Sequence, residues 1–205
     1  MARKILWMAS LLCWAAFTLW YTNTGGPLTE EEIAVYLSGM REAEDSERAA
    51  RLRSFLESDT GNQFIMVNVI DMADDPPDVP GAAPGESADS LLGRYMEYMY
   101  PALFARACHP IFAGRAVAAS LDLTGIEGAE IWDQGALMRY RSRRDMMEIA
   151  TNPAFAERHG FKIAALEKTI AFPVEGILYY ADPRFLLALL LFTIVSLVDL
   201  FIWRR

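Results

Sequence analysis

Phe64-Ile65-Met66-Val67-Asn68-Val69-Ile70 is rich in β-branched side chains and, apart from Asn68, apolar on both alternating faces. Such a pattern marks a strand that is covered on two sides. Downstream, Ala73 to Ser90 holds four prolines and two glycines together with Asp74, Asp75 and Asp78, and reads as a loop. Those carboxylates lack the spacing and the closing Glu of a calcium loop, so they read as solvated acids. Ser90 is expected to cap a helix whose apolar stripe is Leu92, Tyr95, Met96, Met99 and Leu103, kinked or restarted at Pro101. Phe112 to Leu123 reads as a second strand, Thr124 to Gly128 as a turn, and Ile131 to Arg141 as a third strand. Ser142, with Asp145 three residues on, caps a further helix; Asn152-Pro153 ends it and opens the next, which runs through Phe155 to Leu166. Thr169 to Val174 is a last short strand.

The order strand, helix, strand, strand, helix, strand is the ferredoxin-like split βαβ arrangement, an α+β class whose four-stranded sheet carries helices on one face. The opposite apolar face then needs a cover, most simply a second copy of the chain, which predicts a homodimer of the α+β barrel type.

Toward the N-terminus, Gly25-Gly26-Pro27 is a linker. Thr29 with Glu32 forms a capping box, and Glu30, Glu31 and Glu32 suit the positive end of a helix dipole. Ile33, Tyr36, Leu37 and Met40 fall on one face of that helix, and Ala49, Leu52 and Leu56 on one face of the next. Glu44 with Arg48 and Glu47 with Arg51 supply i,i+4 pairs on the wet side, and Asp59-Thr60-Gly61 ends the element.

The two extremities are different in kind. Ile5 to Tyr21 and Phe185 to Trp203 are apolar runs of 17 and 19 residues; as helices they span about 26 and 29 Å, close to the hydrocarbon thickness of a bilayer. Each has a cationic end and interfacial aromatics: Arg3-Lys4 and Trp20-Tyr21 in the first, Trp203-Arg204-Arg205 in the second. A retained anchor is favoured over a cleaved signal peptide for the first run, because Phe17-Thr18-Leu19-Trp20-Tyr21 offers no small-x-small cleavage site. Thr22 to Met40 has no Lys or Arg, so both termini are expected in the cytoplasm and the intervening domain outside it, with Arg184 as the one opposing charge. Asp199 lies near the end of the second run, where a carboxylate facing interfacial water is favoured over an ion pair with Arg3 or Lys4. The expected organisation is an anchor at 1–22, a helical extension at 28–61, an α+β domain at 62–176 and a transmembrane helix at 184–205.

Of the 205 residues 53% are hydrophobic, and the stretch Thr22 to Pro183 carries 14 basic and 26 acidic side chains, a formal charge of −12. Nucleic acid is excluded as an expected partner of so acidic a segment, since phosphate binding needs a basic face. The expected partners are the lipid bilayer, a second copy and a small apolar ligand. The two cysteines, Cys13 in the first apolar run and Cys108 between the runs, form no disulfide within the domain, and burial is the favoured reading of Cys108.

Several short motifs resemble one family. Trp132-Asp133, Leu137-Met138-Arg139-Tyr140-Arg141-Ser142-Arg143, Asn152-Pro153-Ala154-Phe155, Ala164-Ala165-Leu166-Glu167, the opening Met66-Val67-Asn68-Val69 and the Gly114-Arg115 step occur in the order and spacing of the domain of unknown function 1330. That family consists of small dimeric α+β barrels related in fold to antibiotic-biosynthesis monooxygenases. The resemblance covers Phe64 to Pro173 and implies the fold and a dimer, with hardly any chemistry. Members often read Tyr-Pro-Ser where this chain has Tyr140-Arg141-Ser142, and His-Arg where it has Phe161-Lys162.

Catalytic candidates are sparse. His109 and His159 stand 50 residues apart outside any metal-ligand motif, so neither a metal nor a cofactor is expected. His159, before Gly160, reads as a capping or surface residue. Arg139, Arg141, Arg143 and Arg144 form a basic cluster that could gather a carboxylate or phosphate beside the helix capped by Ser142, although balancing the domain's own acids is the favoured reading. Asn68, Tyr95, Arg115, Trp132 and Arg139 are the candidates for lining a ligand pocket: Asn68 is polar within an apolar strand, and Trp132 can present an aromatic wall. Core packing with one satisfied amide is the competing reading. Two functions follow: an extracytoplasmic binding or assembly domain, or a monooxygenase-like enzyme of the dimeric barrel class acting on a small apolar substrate.

Overall fold

In the computed structural model, which describes residues 1–38 and 46–203, the chain folds as α1 (Ala2–Tyr21), α2 (Glu30–Ser38), α3 (Ser46–Glu57), β1 (Phe64–Met72), α4 (Ala88–Phe104), β2 (His109–Arg115), β3 (Gln134–Tyr140), α5 (Arg143–Ala150), α6 (Pro153–Ala164), β4 (Leu166–Val174) and α7 (Pro183–Trp203). These elements form two units, Met1–Gly25 with Gly176–Arg205, and Gly26–Glu175. Met40 and Glu44, assigned above to a helix face and an ion pair, lie outside the described residues, as do Arg204 and Arg205.

Within Gly26–Glu175 the apolar run chosen first becomes β1, an inner strand of a four-stranded antiparallel sheet ordered β2-β3-β1-β4. This is the ferredoxin-like topology of the α+β class. Opposed residues of an antiparallel pair share a face. Phe64 opposite Tyr140 and Met66 opposite Met138 therefore lie together, and their side belongs to the helices: the Phe64 and Tyr140 rings stack at 5.2 Å. Leu91, Tyr95, Met99 and Leu103, one helical turn apart along α4, meet them together with Phe161 and Ala164 of α6. The other face carries Ile65, Val67 and Val69 of β1, Leu137 of β3, Phe112 of β2, and Ile170, Phe172 and Val174 of β4. Among the described residues of this unit no helix packs there, and Phe112 and Phe172 stay 56% and 45% exposed.

The capping box forms as read: Thr29 N–H donates to Glu32 Oε2 at 2.8 Å and Glu32 N–H to Thr29 Oγ1 at 3.2 Å. Leu28, Ile33, Tyr36 and Leu37 then pack with Leu56 and with Met147 of α5, so the helical extension shares one unit with the sheet. Glu47 and Arg51 pair at 3.3 Å. The Ser142 and Asn152 caps also hold, their side-chain oxygens accepting from Asp145 N–H and Ala154 N–H.

Four local expectations are corrected. The α4 cap is Ser87, whose hydroxyl accepts from Ser90 N–H, while the Ser90 hydroxyl donates to Glu86; either serine satisfies the cap preference, and only the start of the helix distinguishes them. Helix α4 does not restart at Pro101 but continues through it to Phe104, three residues on, where a missing N–H costs one ladder bond. Strand β2 ends at Arg115 rather than Leu123, because Ala116 to Asp133 leaves the ladder as a long loop; an apolar loop and a strand have the same composition here. His159 is inside α6, half-buried, with its ring stacked on Phe155 at 4.9 Å, and Gly160 continues the helix instead of ending it.

In the other unit, α1 and α7 lie side by side and antiparallel. Arg3 pairs with Asp199 at 2.7 Å, Trp7 meets Phe192 edge-on at 5.9 Å, and Trp14 Nε1 donates to the Arg184 carbonyl at 2.9 Å. Both helices are long and apolar enough to cross a membrane. Asp199 thus forms the ion pair with Arg3 rather than facing water; its side chain is only 15% exposed, and a carboxylate so enclosed needs a partner. Arg184 is neutralised locally by Asp182, with Oδ2 at 2.5 Å, and donates to Thr22 Oγ1 at 2.9 Å.

Candidate functional site

The uncovered sheet face is the surface on which a ligand or partner can be met, and its two ends differ. At one end Asp71 opposes Lys168, 3.4 Å apart. Lys168 Nζ donates to the Gly128 carbonyl at 2.6 Å and lies 5.0 Å from the Trp132 ring centroid, so the long β2–β3 loop is drawn across this end of the sheet. Trp132 Nε1 donates to Ala129 O at 2.8 Å, and the Asp133 carboxylate accepts from Met72 N–H at 2.7 Å. At the other end is Arg139, which is 1% exposed. Its Nε and Nη2 donate to Gln63 Oε1 at 3.0 and 2.6 Å, and its Nη1 donates to the Ala107 carbonyl.

The five pocket candidates are spread over this frame. Arg139 opposes Ile65 and His109, whereas Arg115 opposes Gln134 near the Trp132 end. Five residues of strand, about 17 Å, separate the two levels. Asn68 shares the helix-facing side with Met66, and its Nδ2 donates to Met66 O at 3.1 Å and Ala136 O at 3.3 Å. Tyr95 is buried in the same helix-side core, where desolvation holds its phenol well above the ordinary range. Lys168 was not singled out from the sequence. Period-two alternation through β4 places it with Ile170, Phe172 and Val174, and that was the available signal.

The arginine cluster is engaged within its own unit. Arg141 meets Asp145 at 2.6 Å and Arg144 meets Glu32 at 2.5 Å. Arg143 pairs with Asp59 at 3.3 Å, donates to the Phe55 carbonyl and lies over the Phe55 ring at 4.4 Å. Its guanidinium thereby ties α5 to the end of α3. The Arg144 hydrogen bond, with the Thr29 N–H, holds the Glu32 carboxyl at about 2. Cys108 is fully buried; burial pushes its thiol up to about 11, and its Sγ accepts from Arg141 N–H. His109 Nδ1 lies 2.9 Å from the Pro110 carbonyl. Lys162 is half-buried 5.8 Å from the Tyr95 ring centroid, and desolvation lowers its pKa. Among the described residues no group of three His, Cys, Asp or Glu side chains is placed to hold a metal ion. A groove of about 750 Å³ lies apart from the sheet, between α2 and α3, lined by Leu28, Ile33, Ala34, Leu37, Arg53 and Glu57 among others.

A ferredoxin-like α+β domain with one bare apolar face is thus the class that the fold and the site define. No family model matches the chain, and no curated protein matches it. Solved structures do. A protein of unknown function from Rhodopseudomonas palustris is similar at 18% identity and TM-score 0.52, over 66% of this chain and 95% of that one. Its methylated form is similar at 18% identity and TM-score 0.53, over 69% and 98%. A dimeric protein of unknown function with a ferredoxin-like fold from Bacteroides fragilis is matched more loosely, at 15% identity and TM-score 0.32, over 56% and 96%. The Rhodopseudomonas likeness supports the fold alone; the resemblance to the domain of unknown function 1330 rests on the motifs quoted above.

Proposed function

We propose that this chain is a membrane-anchored domain, held outside the cytoplasm by α1 and α7, that pairs with a second copy through its bare sheet face and binds a small apolar ligand between the two sheets. The observation that carries this reading is the composition of the face. Ile65, Val67, Val69, Leu137, Ile170, Phe172 and Val174 share it, with Phe112 and Phe172 open to solvent. A contiguous exposed apolar face of this kind marks a surface for an apolar partner or ligand. Two sheets face to face keep a layer about 10 Å thick, room for side chains or for a flat apolar molecule. Of the pocket candidates, Trp132 and Arg139 belong to the two ends of this face, and Asn68 and Tyr95 to the helix-covered side. The domain of unknown function 1330, to which the motifs are similar, is the family this reading suggests. The placement outside the cytoplasm is supported by Arg3 and Lys4 before the first span and by the absence of Lys and Arg from Thr22 to Met40. Native mass spectrometry of the detergent-extracted chain tests the pairing and the ligand together. A dimer with a retained small mass is expected, and a ligand-free monomer overturns the reading. Protease added to intact cells is expected to cut the domain; protection there with cleavage in inverted vesicles reverses the topology.

A further inference from the structure

The β2–β3 loop departs from what its own unit requires. Eighteen residues, Ala116 to Asp133, join two seven-residue strands, whereas hairpin connections usually take about 2–5 residues. The loop is nevertheless tied down. Ala116 N–H donates to Asp133 O at 2.7 Å, Ser120 N–H to Glu130 O at 2.8 Å, and Lys168 Nζ to Gly128 O at 2.6 Å. Lys168 belongs to the bare face by register, since it opposes Asp71, two residues on from Val69. The loop is therefore held along one end of that face as a rim. Its apolar side chains point outward: Val117 is 101% exposed, Leu121 97% and Ile131 56%. Ala129, by contrast, is 4% exposed and packs inward.

The geometry points to this rim as part of the interface between two copies, reaching past the sheet onto the second chain. The inference rests on the pairing read above and adds which residues complete it. Area supports a second copy as the occupant. Four strands about 4.8 Å apart, two of seven and two of nine residues at about 3.3 Å per residue, give a flat footprint of about 500 Å². A stable interface takes about 800 Å² from each partner. By footprint the sheet alone falls short by about a third. The rim is continuous with the face and held by Lys168, and Val117, Leu121 and Ile131 add exposed apolar surface beside the exposed carboxylates of Asp122, Glu127 and Glu130. A two-fold axis between the sheets makes each rim meet the other chain reciprocally.

The test uses the full-length chain in detergent. Val117→Asp with Leu121→Asp, both at solvent-facing positions, is compared with the unaltered protein by sedimentation, and circular dichroism checks the fold. The unaltered chain is expected to dimerise and the double variant to raise the dissociation constant about tenfold or more. Independently, p-benzoylphenylalanine in place of Leu121 is expected to give a covalent dimer on irradiation. A double variant that dimerises as tightly as the unaltered chain, or a photoproduct with lipid or detergent only, overturns the role of the rim and leaves the pairing through the sheet standing. An unaltered chain that is monomeric overturns both.

Discussion

Arg139 is a cation with 1% exposure, bound by Gln63 and the Ala107 carbonyl at one end of the sheet. Replacing it with Met keeps much of the volume and removes the guanidinium donors from the buried Ala107 carbonyl and the half-buried Gln63 Oε1. Arg139→Met is expected to cost about 3 kcal/mol, read as a lower urea midpoint at unchanged slope. Cys108 offers a gentler test. With burial pushing its thiol up to about 11, about one molecule in a thousand carries a thiolate at pH 8. In a Cys13→Ser background, Ellman's reagent is expected to leave Cys108 untouched until denaturant is added. Prompt reaction in the folded protein would show the site to be open.

Among the elements, α2 depends on a charge. The Glu32 carboxyl, held at about 2 by Arg144 and the Thr29 N–H against an ordinary 4.5, is depressed in the folded state. Its contribution is therefore complete above pH 4.5 and disappears as the pH falls toward 2. Amide exchange in α2 is expected to accelerate over that window, and Glu32→Gln to flatten the dependence. The α4 start is tested by two serines: Ser87→Ala is expected to cost about 1 kcal/mol in thermal or urea unfolding, and Ser90→Ala clearly less. The elements also show what could be read in advance. Strand β1 and the Thr29, Ser142 and Asn152 caps were legible because local rules govern them: alternation, and a side-chain oxygen at a helix start. The end of β2 was not, since Ala116 to Leu123 remains apolar after its ladder partner has gone. Nor was the Lys168–Trp132 approach, which depends on the β2–β3 loop reaching past β1 to β4. Tertiary register decides such features, and period-two alternation assigns a residue's face without naming its neighbour.

At the scale of the whole molecule the chain divides its apolar residues between two units that expose them differently. In Met1–Gly25 with Gly176–Arg205 the apolar side chains point outward from a helix pair, and the Arg3–Asp199 bridge links the helices near the chain termini. The bridge couples two segments far apart in sequence, so Arg3→Ala and Asp199→Ala are expected to be non-additive, with a coupling of about 1 kcal/mol in a double-mutant cycle of detergent stability. Additive effects would assign Arg3 to the headgroups and leave Asp199 otherwise satisfied. In Gly26–Glu175 most apolar residues turn inward, while the bare face and its rim leave Phe112, Phe172, Val117 and Leu121 exposed. The strand order β2-β3-β1-β4 has a further effect during synthesis. Strand β1 leaves the ribosome first, but both of its neighbours are encoded later, β3 about 70 residues on and β4 about 100. For that interval a nascent hydrophobic ribbon has no edge to join, and non-local pairing of this kind is slow. Until β3 and then β4 have been made, the edges of β1 stay open and prone to aggregation.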